Sequence, residues 1–276
     1  MSHAVACAGR QIFLAFALAA AALAENPPPF KAKAEHVLLC VWDGMRPDFI
    51  TPENTPNLHA LAARGTYFNN NHSFYITTTE VNGTVLATGV FPRRSGIMAN
   101  LEYRPAIDLM HGVATDDFAT ILTSDALSDG RHIAVPTVAE LVQKAGRTTA
   151  VVCTKTVALL HDRGKDRTGR GPTLWAGRTY PKDFLKTIVQ ALGKFPAYPK
   201  TDIFDIADAR PNTAQNLWTT KALVNVLWKD EIPAYSVLWL GDPDFSQHFT
   251  APGSPTALAA IHDSDTHLGI ALAELE

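Results

Sequence analysis

Cysteine is scarce in this chain, and what there is points away from a stapled or metal-knuckle architecture. Of 276 residues only Cys7, Cys40 and Cys153 are cysteine. No two stand at metal-ligand spacing. Cys40 and Cys153 lie in apolar, strand-like runs that suit buried free thiols better than a disulfide. Charge is sparse too: 18% of residues are charged and the formal net charge is −3, so there is no basic footprint for a nucleic-acid polymer. Internal repeats and low-complexity tracts are missing, which leaves no sign of a solenoid. The most apolar run, Ile12 to Leu23, is too short for a comfortable membrane span. What is present is apolar bulk, 46% of the residues, enough for the core of one large domain or two small ones.

That apolar run has a different reading. Arg10 before it and Ala22-Leu23-Ala24 after it complete the three parts of a secretory signal, with an Ala-x-Ala cleavage site. Residues 1–24 are therefore expected to be a signal peptide and residues 25–276 the exported domain, periplasmic or extracellular. Asn26-Pro27-Pro28-Pro29 reads as a stiff linker, and after cleavage the chain is expected to keep no membrane segment.

The stretch from His36 to Asn100 organises the rest. His36 to Trp42 is an apolar run that reads as a buried strand and stops at Asp43-Gly44. Asp43 thus falls at a strand's carboxyl end, where open α/β sheets place ligands. A helix comes next, with Thr55 as N-cap, Pro56 at the first position, Leu58, Leu61 and Ala62 on one face, and Gly65 as the stop. Thr77-Thr78-Thr79 precede a second helix, Glu80 to Thr88, closed by Gly89. Residues 101–136 lack periodicity and read as an excursion. Thr137 and Glu140 form a capping box for a helix that ends at Gly146, and Thr148 to Cys153 is a β-rich strand. His161 to Gly171 is a mixed-charge loop, read as solvated. Asp183–Leu192 and Thr219–Trp228 are helix candidates, and Tyr235–Leu240 is a strand ending near Asp244. The last helix runs from Pro255 to Glu276. Asp265 falls on its apolar stripe, where a carboxylate is expected to bond a neighbouring loop. His262 and His267 lie on different faces, which argues against a metal cluster there. The alternation is that of a mostly parallel, doubly wound sheet.

Asp43 and Asp244 are both expected just past the ends of parallel strands, so two carboxylates share one sheet edge. His248, four residues after Asp244, can face the same cation. Carboxylate plus imidazole suits zinc, with manganese or iron less specific. Thr79 is the candidate nucleophile. Its hydroxyl is weak at neutral pH and needs a metal or a base, while a helix N-terminus beside it favours an anionic phosphoryl group. Asn100 could donate to a non-bridging phosphoryl oxygen. A plain N-cap Thr and a turn Asn would account for either residue taken alone.

Taken in order, Asp43-Gly44, Thr55-Pro56-Asn57-Leu58, Thr79, Thr88-Gly89, Pro92, Gly96 and Asn100 resemble the N-terminal half of the type I phosphodiesterase/nucleotide pyrophosphatase family, within the alkaline phosphatase superfamily. Pro243 and Asp244-x-x-x-His248 resemble its first-metal motif. Residues 77–82, Thr-Thr-Thr-Glu-Val-Asn, lack the Cys/Ser-x-Pro-x-Arg of the sulfatase branch. The resemblance implies an α/β three-layer sandwich with a mostly parallel central sheet. It implies a metal-dependent phosphoric ester hydrolase, in which two divalent ions, zinc foremost, bracket a phosphoryl group and the reaction passes through phosphothreonine. Thr79 and Asn100 take catalytic roles, and Asp43, Thr79, Asp244 and His248 hold metal. The substrate would be a small phosphate ester or a nucleotide. One departure stands out. The family's Asp-His-Gly occurs nowhere in the chain, and the later His is missing as well, so half of the metal ligands besides the threonine are absent. The expectation is a C-terminally truncated form of the fold. Phosphonate hydrolysis and an inactive secreted fragment or binding domain stay open as alternatives. If the signal reading is right, mass spectrometry of the exported protein finds Glu25 at its N-terminus; an exported form retaining Met1 contradicts it.

Overall fold

The computed structural model describes residues 34–162, 171–199 and 210–275. The signal peptide, the Pro linker, most of the mixed-charge loop and Glu276 lie outside the described residues. The chain divides at His36, and every element of the fold belongs to the unit that begins there.

Its centre is a five-stranded sheet. Strand β1 (Val37–Trp42) opens it. Three helices come next, α1 (Pro56–Arg64), α2 (Thr79–Thr88) and the short α3 (Pro92–Ser95). The expected excursion holds more structure than its composition suggested: a two-stranded ribbon, β2 (Leu101–Glu102) with β3 (Val113–Ala114), and a full helix, α4 (Phe118–Leu127). Asp117 caps α4 through its side chain, accepting from the Thr120 amide at 2.9 Å. Then come α5 (Val138–Lys144), β4 (Thr149–Cys153), the single turn α6 (Ala158–His161), β5 (Thr173–Trp175), β6 (Arg178–Tyr180) and α7 (Phe184–Leu192). Helix α8 (Thr213–Lys221) starts earlier than the expected Thr219 and runs on as a π-helical turn through Leu227. Strand β7 (Tyr235–Leu240), α9 (Asp244–Thr250) and α10 (Pro255–Leu275) complete the described unit.

The strand order is β1-β7-β4-β5-β6. All pairs are parallel except β5–β6, so the sheet is mixed but mostly parallel, with helices on both faces. Alternating residues of the central strands feed two cores. Val151, Cys153, Val237 and Trp239 pack with Ile121 and Leu160 on one face. Ala150, Val152, Leu238 and Leu240 pack with Ile188, Leu223 and Ala271 on the other. This double burial explains why β4 and β7 read as continuous apolar runs. Strand β1 differs from expectation. It sits at the sheet edge, paired only to β7, and most of it is half-buried rather than buried.

Helix α5 has the capping box in full: the Thr137 amide donates to Glu140 at 2.9 Å and the Glu140 amide to Thr137 at 3.2 Å. Helix α1 corrects the expectation. Thr55 is buried, but its hydroxyl donates back to the Thr51 carbonyl instead of capping. The cap comes from Asp265, on α10. Its carboxylate accepts from the Asn57 amide at 2.9 Å, the Leu58 amide at 2.8 Å and the Asn57 side chain at 2.9 Å. The odd carboxylate in the apolar stripe of α10 therefore satisfies orphan donors of a helix distant in sequence. Cys40 and Cys153 are both free thiols, as expected.

Replacing Asp265 with Ala strands two amides at the start of α1, and the protein is expected to lose about 2 kcal/mol of stability. Urea unfolding measures it; a change below ~0.5 kcal/mol would show that water substitutes for the cap.

Candidate functional site

Three neighbouring parallel strands, β1, β7 and β4, end at one edge of the sheet, and the turns that leave β7 and β4 line one cavity. After β1 come Asp43 and Gly44, after β7 Gly241 to Asp244, and after β4 Thr154 to Thr156. The first two turns are joined by backbone. The Asp43 amide donates to Leu240 at 3.0 Å, and the Asp244 amide donates to the Asp43 carbonyl at 2.8 Å. Gly44 has φ +70°, and a Cβ there would stand 2.8 Å from the Asp244 Cα, so a side chain is excluded on both counts. Asp242, buried, accepts the Ser246 amide and hydroxyl at 3.0 and 2.8 Å and the Asn212 amide at 2.6 Å. That pins the first turn of α9, which in turn places Asp244 and His248 one helical turn apart.

Lys155 is the centre of the cluster. Its ammonium donates to Asp43 Oδ2 at 2.7 Å and to Asp244 Oδ2 at 2.6 Å. Two oxygens in contact with one nitrogen lie no more than about 5.3 Å apart. The Trp239 indole also donates to Asp43 Oδ2, at 3.2 Å, and the Thr79 hydroxyl reaches the same oxygen at 3.5 Å. His248 Nε2 stands 3.3 Å from the other oxygen of Asp244. Thr79 is the first residue of α2, with Thr78 in the cap position, so its hydroxyl is not spent on capping. Gly83 lets α2 press against the start of α6, since a Cβ there would meet Val157 at 2.5 Å, with Trp239 of β7 at 3.4 Å. Asn100 accepts the Glu80 amide through Oδ1 at 3.2 Å, which reserves its NH2 group as a donor. The structure thus brings Asp43, Thr79, Asp244 and His248 to one place with Asn100 beside them.

The cavity above them is about 320 Å3, and its walls include Thr79, Glu80, Asn100, Asp116, Tyr198 and His248. Tyr198 stacks on Phe245 of α9, with centroids 5.3 Å apart and planes at 21°. A larger cleft of about 800 Å3 runs beside β1, between α1 and α10, but its walls are apolar apart from Thr66 and Cys40. Size favours that cleft; chemistry favours the smaller, polar one, because only there do carboxylates, an ammonium, a hydroxyl and an imidazole meet.

Charge is crowded at this site. Burial pushes the Asp43 carboxyl above its ordinary value; Lys155 opposes that and Asp244 adds to it. Burial disfavours the charge on Lys155, but Asp43 and Asp244 outweigh it and hold the amine above its usual range, so it is an ammonium at neutral pH. Glu80 is raised to about 7, by burial first and then by Asp116. Asp116 also accepts a short hydrogen bond from the Thr156 hydroxyl.

Carboxylate oxygens converging on one cation-sized position suit a divalent metal, and Lys155 stands there as an internal cation. Among the described residues no three His, Cys, Asp or Glu side chains gather in a metal-holding group. Asp43, Asp244, His248 and Thr79 stand near one another without completing such a group.

The reading of sequence motifs passed over Lys155, Glu80, Asp116 and Trp239. For Lys155 a signal existed. It comes directly after a parallel strand, the placement that singled out Asp43 and Asp244. Asp116 lay in the segment read as an excursion and had no periodicity to place it. His161 corrects another expectation. It is not in a solvated loop but ends α6, buried, edge-on to Trp239 at 5.6 Å, with neither ring nitrogen hydrogen-bonded.

Comparison with known proteins shows the family of the chain. Residues 37–276 match the family model for type I phosphodiesterase/nucleotide pyrophosphatase. Human ectonucleotide pyrophosphatase/phosphodiesterase family member 5 is 24% identical over 237 residues, covering 85% of this chain and 40% of the human protein. Among solved structures, phosphonoacetate hydrolase from Sinorhizobium meliloti 1021, bound to phosphonoacetate, superposes with a TM-score of 0.60 at 21% identity, over 87% of this chain and 53% of that one. Murine ectonucleotide pyrophosphatase/phosphodiesterase 5, in complex with AMP, gives 0.53 at 20% identity, over 88% and 52%. The chain spans about half the length of these solved relatives.

The buried imidazoles generate a pH dependence. His161, and His267 on α10, are each lowered from 6.5 to about 4, burial being the main cause. Between those values the unfolded chain binds protons that the folded one refuses, so their contribution to stability falls as pH drops from 6.5 towards 4. Glu80, raised to about 7, acts in the opposite sense over the same window, so the His161 share is read as a difference: between about pH 7 and about pH 4.5 the urea midpoint of His161→Phe should fall less, or rise more, than that of the wild type. A slope unchanged in that variant would remove His161 from the account.

Proposed function

We propose, from the premise that the chain belongs to the type I phosphodiesterase/nucleotide pyrophosphatase family, that it carries the nucleophile-bearing half of a metal-dependent phosphoric ester hydrolase. The observation that supports this most is the meeting of Asp43, Asp244 and Thr79 around a single cation position, with Thr79 opening a helix. Two divalent ions, zinc foremost, one held by Asp244 and His248 and its neighbour by Asp43 and Thr79, would supply Lewis acidity and a lowered hydroxyl pKa. The chain's own residues do the rest. Thr79 Oγ attacks phosphorus in line, and its proton has Asp43 Oδ2 within reach. The bond to the leaving oxygen breaks and phosphothreonine forms. Asn100, through its NH2 group at the N-terminus of α2, holds a non-bridging oxygen. Water then attacks phosphorus and frees Thr79.

Tyr198, stacked on Phe245 at the cavity wall, offers a flat apolar surface to an aryl or nucleoside group. This supports nucleotides and aryl phosphodiesters as substrates. A second reading is hydrolysis of a phosphonate that also carries a carboxylate, favoured by Lys155, an ammonium able to meet a second anionic group. The third, an inert exported binding domain, draws on the ligand count, since the Asp-His-Gly ligands of the family are not in this sequence. Among the described residues no helix is long and apolar enough to cross a membrane. We place the site in an exported protein, and assign full activity to a chain of the family's whole length.

The test is hydrolysis of an aryl phosphodiester with added zinc. Residues 25–276 alone should turn over poorly, and a chain extended through an Asp-His-Gly and a later His should turn over well. In the extended form Thr79→Ala should fall to background and Asn100→Ala should lose about 10²–10³ in kcat. Robust zinc-dependent hydrolysis by residues 25–276 would refute the division of the site. Metal analysis separates the third reading: zinc bound to the extended chain supports an enzyme, and none supports a binding domain.

A further inference from the structure

A separate cavity, about 370 Å3, opens at the sheet edge opposite β1, where the β5–β6 hairpin meets the first residues of α4 and α7. Its walls carry three aromatic rings, Phe118, Trp175 and Tyr180, with Leu185 beside them, and two cations, Arg178 and Lys182. The hairpin register explains the grouping. Trp175 stands opposite Arg178, and Thr173 opposite Tyr180, so Trp175, Arg178 and Tyr180 share one face. Phe118 closes that face from α4. Its ring stacks on Trp175, with centroids 5.6 Å apart and planes at 25°, and lies 6.4 Å from the ring of Tyr180.

The frame of this cavity is tied down. The Ala176 amide donates to the Cys153 carbonyl at 3.2 Å, which fixes the hairpin turn to β4. The Thr179 hydroxyl donates to the carbonyls of Pro181 and Lys182 at 2.9 and 3.4 Å, which holds the segment carrying Lys182 against β6. A preformed site loses little conformational freedom on binding. The two cations, in contrast, are exposed and unspent. Among the described residues no carboxylate pairs with Arg178 or Lys182. The acids next to this wall in sequence are engaged elsewhere: Asp183 with Lys186 at 2.9 Å, and Asp117 with the Thr120 amide at 2.9 Å.

Aromatic rings beside uncompensated cations suit a ligand with a flat ring and a negative charge. The ring packs against the aromatic side chains, and an oxyanion meets the guanidinium and the ammonium. The volume stands at the small end of ligand sites, about 300–1,000 Å3. It admits one ring with one anionic group and is too small for a lipid or a polymer. We propose that this cavity is a second ligand site, which takes a small aromatic anion, a ring bearing phosphate or carboxylate, against Phe118, Trp175 and Tyr180 with its charge on Arg178 and Lys182. None of these residues lines the polar cavity that holds Thr79, so the site does not depend on the phosphoryl chemistry proposed above.

The test is a titration of the purified chain, without added metal, followed by the 1H–15N resonance of the Trp175 indole, which Trp175→Phe identifies by its loss. The probes are phenyl phosphate, benzoate, cyclohexyl phosphate and inorganic phosphate. Phenyl phosphate or benzoate is expected to move that resonance and saturate, and the tighter of the two names the anionic group. Cyclohexyl phosphate and inorganic phosphate should bind several-fold more weakly than phenyl phosphate, if that is the tighter aryl anion, because they lack the aromatic ring. The double variant Arg178→Gln, Lys182→Gln changes two exposed side chains and should keep the fold, while losing about tenfold or more in affinity. Tyr198→Ala, in the wall of the other cavity, should leave the affinity unchanged. The proposal is overturned if neither aryl anion binds at millimolar concentration, if inorganic phosphate binds as tightly as the better aryl anion, or if the double variant keeps wild-type affinity. Loss of binding in Tyr198→Ala overturns it too, since the ring would then sit beside Thr79.

Discussion

The hydrogen bond from the Asp244 amide to the Asp43 carbonyl, 2.8 Å long, is the contact on which the site depends. It extends the β1–β7 ladder one step past the strands, into the two turns that carry the acids. Without it the two loops would be independent, and their carboxylates would be free to separate, as like charges do. Gly44 makes the bond possible by leaving room for the Asp244 backbone. Trp239, near the end of β7, holds Asp43 from below. Functional geometry is here a continuation of sheet geometry, which is why the site inherits the rigidity of its most buried strands.

The electrostatics are a result of that closeness. Asp244, Glu80 and Asp116 line the cavity together with Lys155, and Asp43 is paired to that lysine. Such a site attracts small cations and repels anions until positive charge has been added. The NH2 group of Asn100 supplies a directional donor, but it adds no net charge.

Much of this was legible in residue order. Apolar runs ending in Asp marked β1 and β7 together with the sheet edge they share, and the Thr137–Glu140 box marked a helix start that the structure shows bond for bond. Thr79 and Asn100 were recognisable by their place in an ordered set. What escaped detection did so for physical reasons. The neighbours of β1 are decided by tertiary packing, so its edge position and half-buried state were invisible in an apolar run. Helix α4 has a weakly amphipathic sequence and was hidden among Asp, Gly and Ser. The cap of α1 comes from Asp265, 208 residues away, beyond any local pattern. Lys155 is a lone lysine in sequence, and becomes central only once β4 is known to lie beside β7.

The placement of β1 has a consequence for how the chain folds. Val37 pairs with Tyr235, and β1 has no other partner in the sheet. Among the described strands β1 therefore pairs with one that is synthesised about 200 residues later, and the start of α1 stays uncapped until α10 forms. At ~5–20 residues per second the wait is on the order of 10–40 s. Contacts of such long sequence separation place the protein among high-contact-order topologies, where closing the loop comes late and slowly. For that interval an apolar strand with open hydrogen-bonding groups on both sides is exposed, and whatever shields nascent chains must cover the N-terminal strand longest.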